Sequence, residues 1–422
     1  MKILLTTVGS AGDVHPFVAI GLALAERGCE VALAANPHFE PLVRSAGLGY
    51  EPLGEALDPV SIARTNPAAF SRYRGPAALF RGVFAPRFRE LYDATLAALR
   101  AREPDLVVGH QISFGLPMAA RKAGVPWAVA TLAPATVISD RDPNVYAIGP
   151  DVRGWPMPAR RAVHAIARFT INRLVDPPMN KLRRSVGEPT RRGTLFEEML
   201  GADLVLGMWS PAFRGPAADD PAGLEIVGFP WFDRREPGGL EPVLEAFLEA
   251  GEPPVVVSLG SVLSATHDRL FERAAEACER LGVRAVFVTG RADTGRGPAA
   301  GSVLRVGYAP YGLLFPRAGV TVHHGGIGTT AQALRAGVPT LVLPHAHDQF
   351  DNAARVEGLG VGGRLSRAVP TVGALASAID RLLGDAVVRE RSSALGARLR
   401  AEDGASRAAE RIIARVRREE TV

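Results

Sequence analysis

The chain has little cysteine and no long apolar run, and each shortage excludes a class of protein. Its two cysteines, Cys29 and Cys278, are too few for a disulfide framework or a CxxC metal pair, which indicates a reducing compartment. The longest apolar stretch, 125–138, is interrupted by two prolines, whereas a membrane-spanning helix needs about 20 consecutive apolar residues. The first apolar stretch, Ile3–Val8, is too short for a secretion signal. We therefore expect a cytoplasmic protein without a membrane-spanning segment.

An excess of charge of one sign is also missing. The 49 basic and 44 acidic residues leave a formal net charge of +5, which is small for 422 residues. This balance does not indicate a nucleic-acid-binding protein, although it is compatible with anionic ligands or an anionic membrane surface. A chain of this length exceeds one ordinary hydrophobic core, so we expect two domains.

Short apolar strands alternate with helical segments, a pattern typical of α/β folds with parallel sheets. The pattern starts twice, since Ile3–Val8 leads through glycines into a helix at 15–27, and Val255–Leu259 leads through Gly260 into a helix at 267–281. Two such starts predict two Rossmann-like domains that face each other across a cleft. Further strands are expected at Glu30–Ala34, Leu106–Gly109, Ala128–Thr131, Leu204–Gly207, Ala285–Thr289, Val303–Val306, Val320–His323 and Thr340–Pro344.

A segment dense in proline and glycine predicts the boundary between the two domains. We place the N-terminal domain at 1–215, a linker at 216–254 and the C-terminal domain at 255–400. A final helix at 401–422 could pack back on the N-terminal domain.

A glycine-rich turn at His323–Thr330 joins an apolar strand to a helical segment. Such a turn makes an anion site, because free backbone N–H groups and the positive end of the helix dipole point to the same place. Gly325, Gly326 and Gly328 would let a diphosphate approach the backbone closely. The histidines of the turn and Thr329 can add side-chain donors.

The next strand ends in Pro344-His345-Ala346-His347-Asp348-Gln349, which offers acceptors and donors suited to a sugar ring. The histidines and Asp348 could instead hold zinc. However, adjacent histidines on a strand point to opposite faces, and the helix start can already neutralise a diphosphate. We therefore favour a sugar nucleotide, with Asp348 and Gln349 on the sugar, and we expect no metal and no other cofactor.

Other polar residues in the second half could complete this site. Tyr308 follows the strand Val303–Val306 and could stack on a nucleobase, or it could simply pack. Ser258 and Ser261 flank the glycine turn at Gly260 and could meet the phosphates from the other side.

Asp13 ends the glycine turn of the first half and is the candidate general base. The alternative is that Asp13 only caps the helix that follows, because aspartate is a favoured N-cap residue. His15 is a second candidate base. His110, at the end of the strand Leu106–Gly109, could line the same cleft or be an ordinary loop histidine.

Together these motifs resemble the family 1 glycosyltransferases of the GT-B fold over nearly the whole chain. The motifs are Gly9-Ser10-Ala11-Gly12-Asp13-Val14-His15-Pro16, Gly228-Phe229-Pro230, Ser258-Leu259-Gly260-Ser261 and the segment His323–Asn352. The resemblance implies an N-terminal acceptor domain and a C-terminal nucleotide-sugar domain. It also implies an inverting O-glycosyltransferase that moves a hexose or deoxyhexose from a UDP- or dTDP-sugar to a hydroxyl of a hydrophobic small molecule.

The resemblance also implies roles for single residues. Asp13 falls on the position of the family's catalytic base, where a histidine is common. This match makes His15 the weaker candidate for the base. His323 falls on the diphosphate-contacting histidine, with Gly328 and Thr329 on the phosphate-binding helix start. Tyr308 falls where plant members place a base-stacking tryptophan, whereas Tyr311 replaces their glutamine.

A narrower resemblance is to the rhamnosyltransferase subunit of rhamnolipid synthesis, which implies a lipid acceptor such as a hydroxy fatty acid. A polyketide-type aglycone of natural-product biosynthesis is the other acceptor that we consider. Three different functions stay open at this point, a sugar-nucleotide epimerase, a metal-dependent hydrolase and a non-catalytic nucleotide-sugar-binding partner protein. We expect a monomer or homodimer.

The segment 158–184 is basic and amphipathic, and we expect a helix that breaks at Pro177-Pro178. It could be a solvated face over a packed one, a wall of the acceptor cleft, or a reversible contact with an anionic membrane. The last alternative would place the protein peripherally at the inner face of the membrane.

Overall fold

The computed structural model contains two compact units and describes residues 1–233, 239–260, 268–290, 303–365 and 370–419. Unit 1 comprises Met1–Ile62, Arg74–Phe232 and Glu402–Val422, and unit 2 comprises Ala63–Tyr73 and Asp233–Ala401. The chain thus passes from unit 1 to unit 2 between Phe232 and Asp233, within the segment where the sequence places a linker. The short stretch Ala63–Tyr73 belongs to unit 2, which the sequence pattern does not indicate.

Unit 1 is built on a seven-stranded parallel sheet in the order β3-β2-β1-β4-β5-β6-β7. Its strands are β1 (Lys2–Thr6), β2 (Glu30–Ala35), β3 (Gly49–Pro52), β4 (Leu106–His110), β5 (Trp127–Thr131), β6 (Val205–Gly207) and β7 (Leu224–Ile226). The central strands are buried almost completely, as expected for a parallel sheet covered on both faces.

Helices surround this sheet. They are α1 (Ala11–Ala25), α2 (Glu40–Ser45), α3 (Pro59–Thr65), α4 (Gly75–Leu79), α5 (Phe88–Arg102), α6 (Leu116–Ala123) and α7 (Met157–Ser185). Strands β1, β4, β5 and β6 contribute Leu4, Val107, Val129 and Val205 to one core with α5, α6 and α7.

Unit 2 contains a six-stranded parallel sheet in the order β10-β9-β8-β11-β12-β13. Its strands are β8 (Val255–Ser258), β9 (Ala285–Val288), β10 (Val303–Val306), β11 (Val320–His323), β12 (Thr340–Val342) and β13 (Gly362–Arg364). Its helices are α8 (Pro242–Glu249), α9 (Asp268–Leu281), α10 (Tyr311–Leu314), α11 (Ile327–Ala336), α12 (Gln349–Gly358), α13 (Val372–Gly384) and α14 (Ala386–Arg400). The α/β fold with two parallel sheets is therefore confirmed.

Unit 2 has a core on each face of its sheet. Val255 and Val257 of β8 face one core, and Val256 between them faces the other. This alternation explains why the strands appear as continuous apolar runs in the sequence, since both faces are covered by helices.

The last helix, α15 (Gly404–Glu419), belongs to unit 1 and packs on α1. Arg27, two residues after the end of α1, donates to Ser406 at 2.5 Å, and Arg415 donates to Asp203 at 3.1 Å. The start of α15 lies so close to Gly228 that a Cβ on Gly404 would be 2.5 Å from the carbonyl carbon of Gly228. Glycine at both positions permits this approach of two backbones.

The break expected at Pro177-Pro178 is wrong, because α7 runs without interruption from Met157 to Ser185. The two prolines remove two backbone hydrogen bonds. Tertiary contacts on either side offset that loss, since Val175 and Met179 are buried in the core of unit 1. The Asp176 carboxylate also accepts hydrogen bonds from the backbone of the segment at 193–194, at 2.9 and 3.0 Å.

None of the helices in the part of the chain that the structure describes is both long enough and apolar enough to cross a membrane.

Candidate active site

Asp13 lies in the first turn of α1, which begins at Ala11, four residues earlier than the sequence predicts. The N-cap residue is Ser10, and Asp13 Oδ2 accepts hydrogen bonds from Ser10 N at 2.7 Å and Ser10 Oγ at 3.0 Å. Gly9 has a φ of +128°, and a Cβ there would collide with the Asp13 carboxylate. Asp13 therefore does stabilise the helix start, as an N3 residue and not as the N-cap.

The other carboxylate oxygen of Asp13 faces His110. Asp13 Oδ1 lies 3.6 Å from His110 Nε2, and the Asp13 side chain retains 27% of its exposure. The two residues meet because β1 and β4 are neighbours, so the ends of the two strands lie side by side. Burial lowers the pKa of His110, and the Asp13 carboxylate opposes this shift only in part. His110 is thus a buried neutral ring beside a partly exposed carboxylate.

His15 lies two residues after Asp13 on α1. Its ring packs against that of Phe232, with 5.2 Å between the ring centroids. Phe232 is the last residue of unit 1 before the chain enters unit 2. The acceptor roles expected for His15 and His110 stay predictions.

The glycine turn of unit 2 has the geometry of an anion site. Gly325 has a φ of +90°, and a Cβ there would lie 2.6 Å from Val342 Cγ1. Gly326 is the N-cap of α11, and the first backbone bond of the helix runs from Thr330 N to Gly326 O at 2.9 Å. The N–H groups of 327–329 precede that bond and have no partner within the helix. A Cβ on Gly328 would meet nothing within 4 Å, so this side of the helix start is open.

His323, the residue predicted to contact the diphosphate, lies inside unit 2. It is fully buried, and its Nδ1 accepts a hydrogen bond from Gly325 N at 3.0 Å. Burial lowers the pKa of His323 to about 3, so the ring is neutral and its proton is on Nε2. Nε2 is buried as well and has no hydrogen-bond partner among the described residues. In this geometry His323 shapes the turn, and its contact with a diphosphate stays a prediction.

The neighbouring His324 lies at the surface of the turn instead. Its ring fills the space between two glycines, because a Cβ on Gly260 would be 2.7 Å from His324 Cε1 and a Cβ on Gly326 would be 2.5 Å from His324 Nε2. His324 therefore lies beside the helix start, between the turns that follow β8 and β11. The sequence pattern counts both histidines of the turn as possible donors, and the resemblance gives the diphosphate contact to His323. The two rings differ in position because successive residues of an extended chain point to opposite sides.

Asp348 and Gln349 begin α12 and differ in exposure. Gln349 is buried, and its Oε1 accepts hydrogen bonds from His345 N at 2.8 Å and Ala346 N at 3.0 Å. Only the carboxamide nitrogen of Gln349 remains for a ligand. Asp348 is partly exposed, and its Oδ2 accepts a hydrogen bond from Asn352 Nδ2 at 2.7 Å. Asn352 is a residue of this region that the sequence analysis quoted within a motif but gave no role.

Tyr308 follows β10 and is 49% exposed, as a platform for a nucleobase would be. Tyr311 is instead held in place, since it stacks on Phe315 at 4.4 Å and its hydroxyl bonds the Ser258 hydroxyl. Burial raises the pKa of Tyr311. Ser258 is thus engaged by Tyr311, and Ser261 lies outside the described residues.

Within the described parts of both units, three or more His, Cys, Asp or Glu side chains nowhere come together in a group that could hold a metal ion. Two of the histidines considered for zinc already bond through Nδ1, His323 with Gly325 and His345 with the Leu343 carbonyl at 2.6 Å.

Comparisons with known proteins show the family of the chain. Residues 3–130 match the model of the glycosyltransferase family 28 N-terminal domain, and residues 286–415 match that of the erythromycin biosynthesis protein CIII-like C-terminal domain. The chain is 30% identical to the glycosyltransferase GtfE of Amycolatopsis orientalis over 99% of its own length and 98% of that protein. It is 33% identical to the O-mycaminosyltylonolide 6-deoxyallosyltransferase of Streptomyces fradiae, over 97% and 96% of the two chains.

The chain belongs to the family 1 glycosyltransferases. It is therefore a transferase of the nucleotide-sugar type, as the resemblance implied. The likeness to the rhamnosyltransferase subunit of rhamnolipid synthesis is secondary to the likeness to these antibiotic glycosyltransferases.

Solved structures show the same fold. The glycosyltransferase of kitacinnamycin superposes with a TM-score of 0.74 at 24% identity, covering 98% of both chains. The glycosyltransferase VinC, solved in complex with dTDP, superposes with a TM-score of 0.66 at 20% identity, covering 99% of this chain and 100% of VinC. The GT-B fold is thus confirmed.

Proposed function

We propose that this glycosyltransferase moves a hexose or deoxyhexose from a UDP- or dTDP-sugar to a hydroxyl of a hydrophobic natural-product acceptor, with inversion at the anomeric carbon. The observation that carries the proposal is the open start of α11. The first N–H groups of this helix have no hydrogen-bond partner within the helix. Gly328 lies among them and has no side chain, which leaves room for a diphosphate.

In this proposal the donor diphosphate binds at the start of α11. The backbone N–H groups of Gly328 and Thr329 and the positive end of the helix dipole would hold the phosphate oxygens. His324 supports the same role, because its ring lies against Gly326 at this helix start. His323 would act from below by accepting the Gly325 N–H and so fixing the turn.

The sugar and the nucleobase would be held by the two neighbouring segments. The Asp348 carboxylate can accept a hydrogen bond from a sugar hydroxyl, and the Gln349 amide nitrogen can donate one, since Gln349 Oε1 is already engaged by the backbone. The exposed ring of Tyr308 would stack on the base. The complex of VinC with dTDP supports dTDP as the nucleotide.

The transfer needs one proton to move and one carbon–oxygen bond to be exchanged for another. Asp13 Oδ1 would take the proton of the acceptor hydroxyl while the acceptor oxygen bonds to the anomeric carbon. The bond from that carbon to the diphosphate breaks, and its electron pair leaves with the nucleoside diphosphate, which the start of α11 stabilises. Attack from the face opposite the diphosphate gives inversion. We propose that no metal takes part, since the positive end of the α11 dipole neutralises the leaving diphosphate.

The acceptor is proposed to be an apolar molecule with a free hydroxyl, either a polyketide-type aglycone or a hydroxy fatty acid. The name of the Streptomyces fradiae relative, which transfers a deoxyallose to a tylonolide derivative, supports the first. His15 follows Asp13 by two residues on α1, and His110 ends β4, the strand next to β1. We propose that both histidines line the acceptor-binding region.

A donor and acceptor panel tests the proposal. The purified protein is incubated with UDP-glucose, dTDP-glucose and dTDP-rhamnose against macrolide aglycones and hydroxy fatty acids, and products are detected by mass spectrometry and NMR. We expect a glycoside with inverted anomeric configuration, and the Asp13→Asn variant is the matched control. A retained configuration would overturn the mechanism. Isomerised sugar nucleotide formed without acceptor would indicate an epimerase instead.

We further propose that α7 contacts an anionic membrane surface. Three large apolar side chains on this helix and just before it are exposed, Trp155 at 42%, Ile166 at 66% and Phe169 at 61%. Basic residues accompany them, with Arg173 lying 5.7 Å from the ring of Phe169. Co-sedimentation with phosphatidylglycerol vesicles is expected to be lost in an Ile166→Ser/Phe169→Ser variant. Equal sedimentation with pure phosphatidylcholine would contradict the proposal.

A further inference from the structure

Asn352 lies in the first turn of α12 and joins two segments of the donor site. It is fully buried, and its Nδ2 donates one hydrogen bond to the Gly325 carbonyl at 2.8 Å and another to Asp348 Oδ2 at 2.7 Å. A carboxamide nitrogen has two hydrogens, so both are used. One side chain therefore connects the glycine turn before α11 to the carboxylate that begins α12.

The other end of the same amide indicates why an asparagine is present. Asn352 Oδ1 is buried and has no hydrogen-bond partner among the described residues. A buried carbonyl oxygen without a partner costs stability, so an apolar side chain would serve better if only packing mattered. The two hydrogen bonds that its amide nitrogen donates, to Gly325 and Asp348, therefore account for an asparagine at this position.

We propose that Asn352 is a positioning residue that fixes the Asp348 carboxylate relative to the diphosphate-binding turn. The inference rests on the proposed function of these two segments. Asn352 itself does not touch the donor. Its hydrogen bond to Oδ2 of Asp348 fixes that carboxylate beside the diphosphate-binding turn, so the sugar and the diphosphate of one donor are held in register.

The two connections of Asn352 are not equally replaceable. The glycine turn has a second tie, because Gly325 N donates to His323 Nδ1 at 3.0 Å. Backbone contacts also hold it, since Gly325 packs against Val342 and the backbone of Gln349. Loss of Asn352 should therefore disturb the Asp348 carboxylate more than the turn, and sugar recognition more than diphosphate binding.

Calorimetry and kinetics on three variants of the full chain test this inference. Asn352→Ala removes both donors, Asn352→Ser keeps one, and Asn352→Asp places a second carboxylate next to Asp348. We expect Asn352→Ala to raise the KM for the nucleotide sugar about tenfold, while the Kd for free dTDP and UDP changes less than about threefold. The KM of Asn352→Ser for the nucleotide sugar should lie between those of Asn352→Ala and the unmodified chain. Asn352→Asp should have the highest KM.

A matched control separates positioning from folding. Ser392 is also a buried polar residue of unit 2, bonded to the Val361 and Val388 carbonyls at 3.1 and 2.8 Å. Ser392→Ala should lower the melting temperature without changing the ratio of the nucleotide-sugar KM to the dTDP Kd. An equal loss of nucleotide-sugar and free-dTDP affinity in Asn352→Ala would overturn the inference.

A double-mutant cycle gives the second criterion. If Asn352 acts through Asp348, adding Asn352→Ala to Asp348→Ala should change kcat/KM by less than about twofold, whereas additive losses would overturn the inference. Failure of the proposed function is recognised separately, because the unmodified chain would then form no glycoside in the donor and acceptor panel.

Discussion

His110 Nε2 lies 3.6 Å from Asp13 Oδ1, at the adjacent ends of β4 and β1. Burial lowers the pKa of His110, so the ring that faces the carboxylate is uncharged at neutral pH. The Asp13 carboxylate therefore lies between two different neighbours, with Ser10 bound to one oxygen and the uncharged ring of His110 facing the other.

Asp13→Asn tests the proposed general base directly. The amide cannot take the acceptor proton, so kcat should fall by about 10²–10⁴, the usual contribution of a general base. The measurement is steady-state kinetics at saturating donor and acceptor.

The same variant carries its own control for stability. An asparagine oxygen can still accept the hydrogen bond of Ser10 N, so the start of α1 should persist and the melting temperature should change by only a few degrees. Unchanged turnover would show that Asp13 serves the helix alone.

The sequence predicted the parts of the fold that depend on a residue's own pattern. Strands such as Val320–His323 were found with their bounds, because buried parallel strands are continuous apolar runs. Strands β3, β7 and β13 were missed, since Gly49–Pro52, Leu224–Ile226 and Gly362–Arg364 are short and rich in polar residues or glycine. Their pairing with a neighbouring strand makes them strands, and that is a tertiary effect.

The elements that carry the candidate site were predictable from the sequence, whereas the roles of its residues stay predictions. The glycine turn and Asp13 followed from strand, glycine and helix order, but the burial of His323 and the partial exposure of His324 became visible only in the folded unit. Asn352 could not be assigned, because its two partners lie 27 and 4 residues away and meet only in the folded unit.

His324→Ala is expected to weaken nucleoside diphosphate binding. The ring lies at the helix start, and loss of one hydrogen bond to a charged group should raise the Kd for dTDP about tenfold or more. Isothermal titration with dTDP measures the effect.

The matched variant is His323→Ala, which removes the acceptor for the Gly325 N–H and should weaken binding through the turn. It should also lower stability by about 1 kcal/mol or more, because a buried N–H loses its partner. If His323→Ala abolished dTDP binding at unchanged stability while His324→Ala bound normally, the assignment of the two histidines would be reversed.

Removal of divalent metal should leave the transfer unchanged. The start of α11 supplies the positive end for the leaving diphosphate, which is the role that a metal takes in other transferases. Incubation with excess EDTA followed by the transfer assay checks this. Loss of activity that is restored by Mg²⁺ or Mn²⁺ would mean that the helix start is not sufficient.

Stability should fall as the pH drops below about 6.5, because two histidines are buried in their neutral form. Burial lowers the pKa of His323 to about 3 and lowers that of His110. The unfolded chain, with ordinary histidines, therefore binds more protons than the folded chain below pH 6.5. Each such histidine makes its full contribution to stability above pH 6.5. Below that pH it costs about 1.4 kcal/mol per pH unit until the folded-state pKa is reached.

Urea denaturation of the isolated protein at pH 7.5, 6.5, 5.5 and 4.5 measures this slope. The variant His323→Gln keeps a side-chain acceptor for the Gly325 N–H but cannot be protonated. Its free energy of unfolding should therefore fall by about 1.4 kcal/mol less per pH unit than that of the unmodified chain. His38→Gln, a substitution at an exposed histidine, is measured in the same way as the control. An identical slope in His323→Gln would show that His323 is protonated in the folded chain, and the buried neutral ring would then be the wrong basis for the glycine turn.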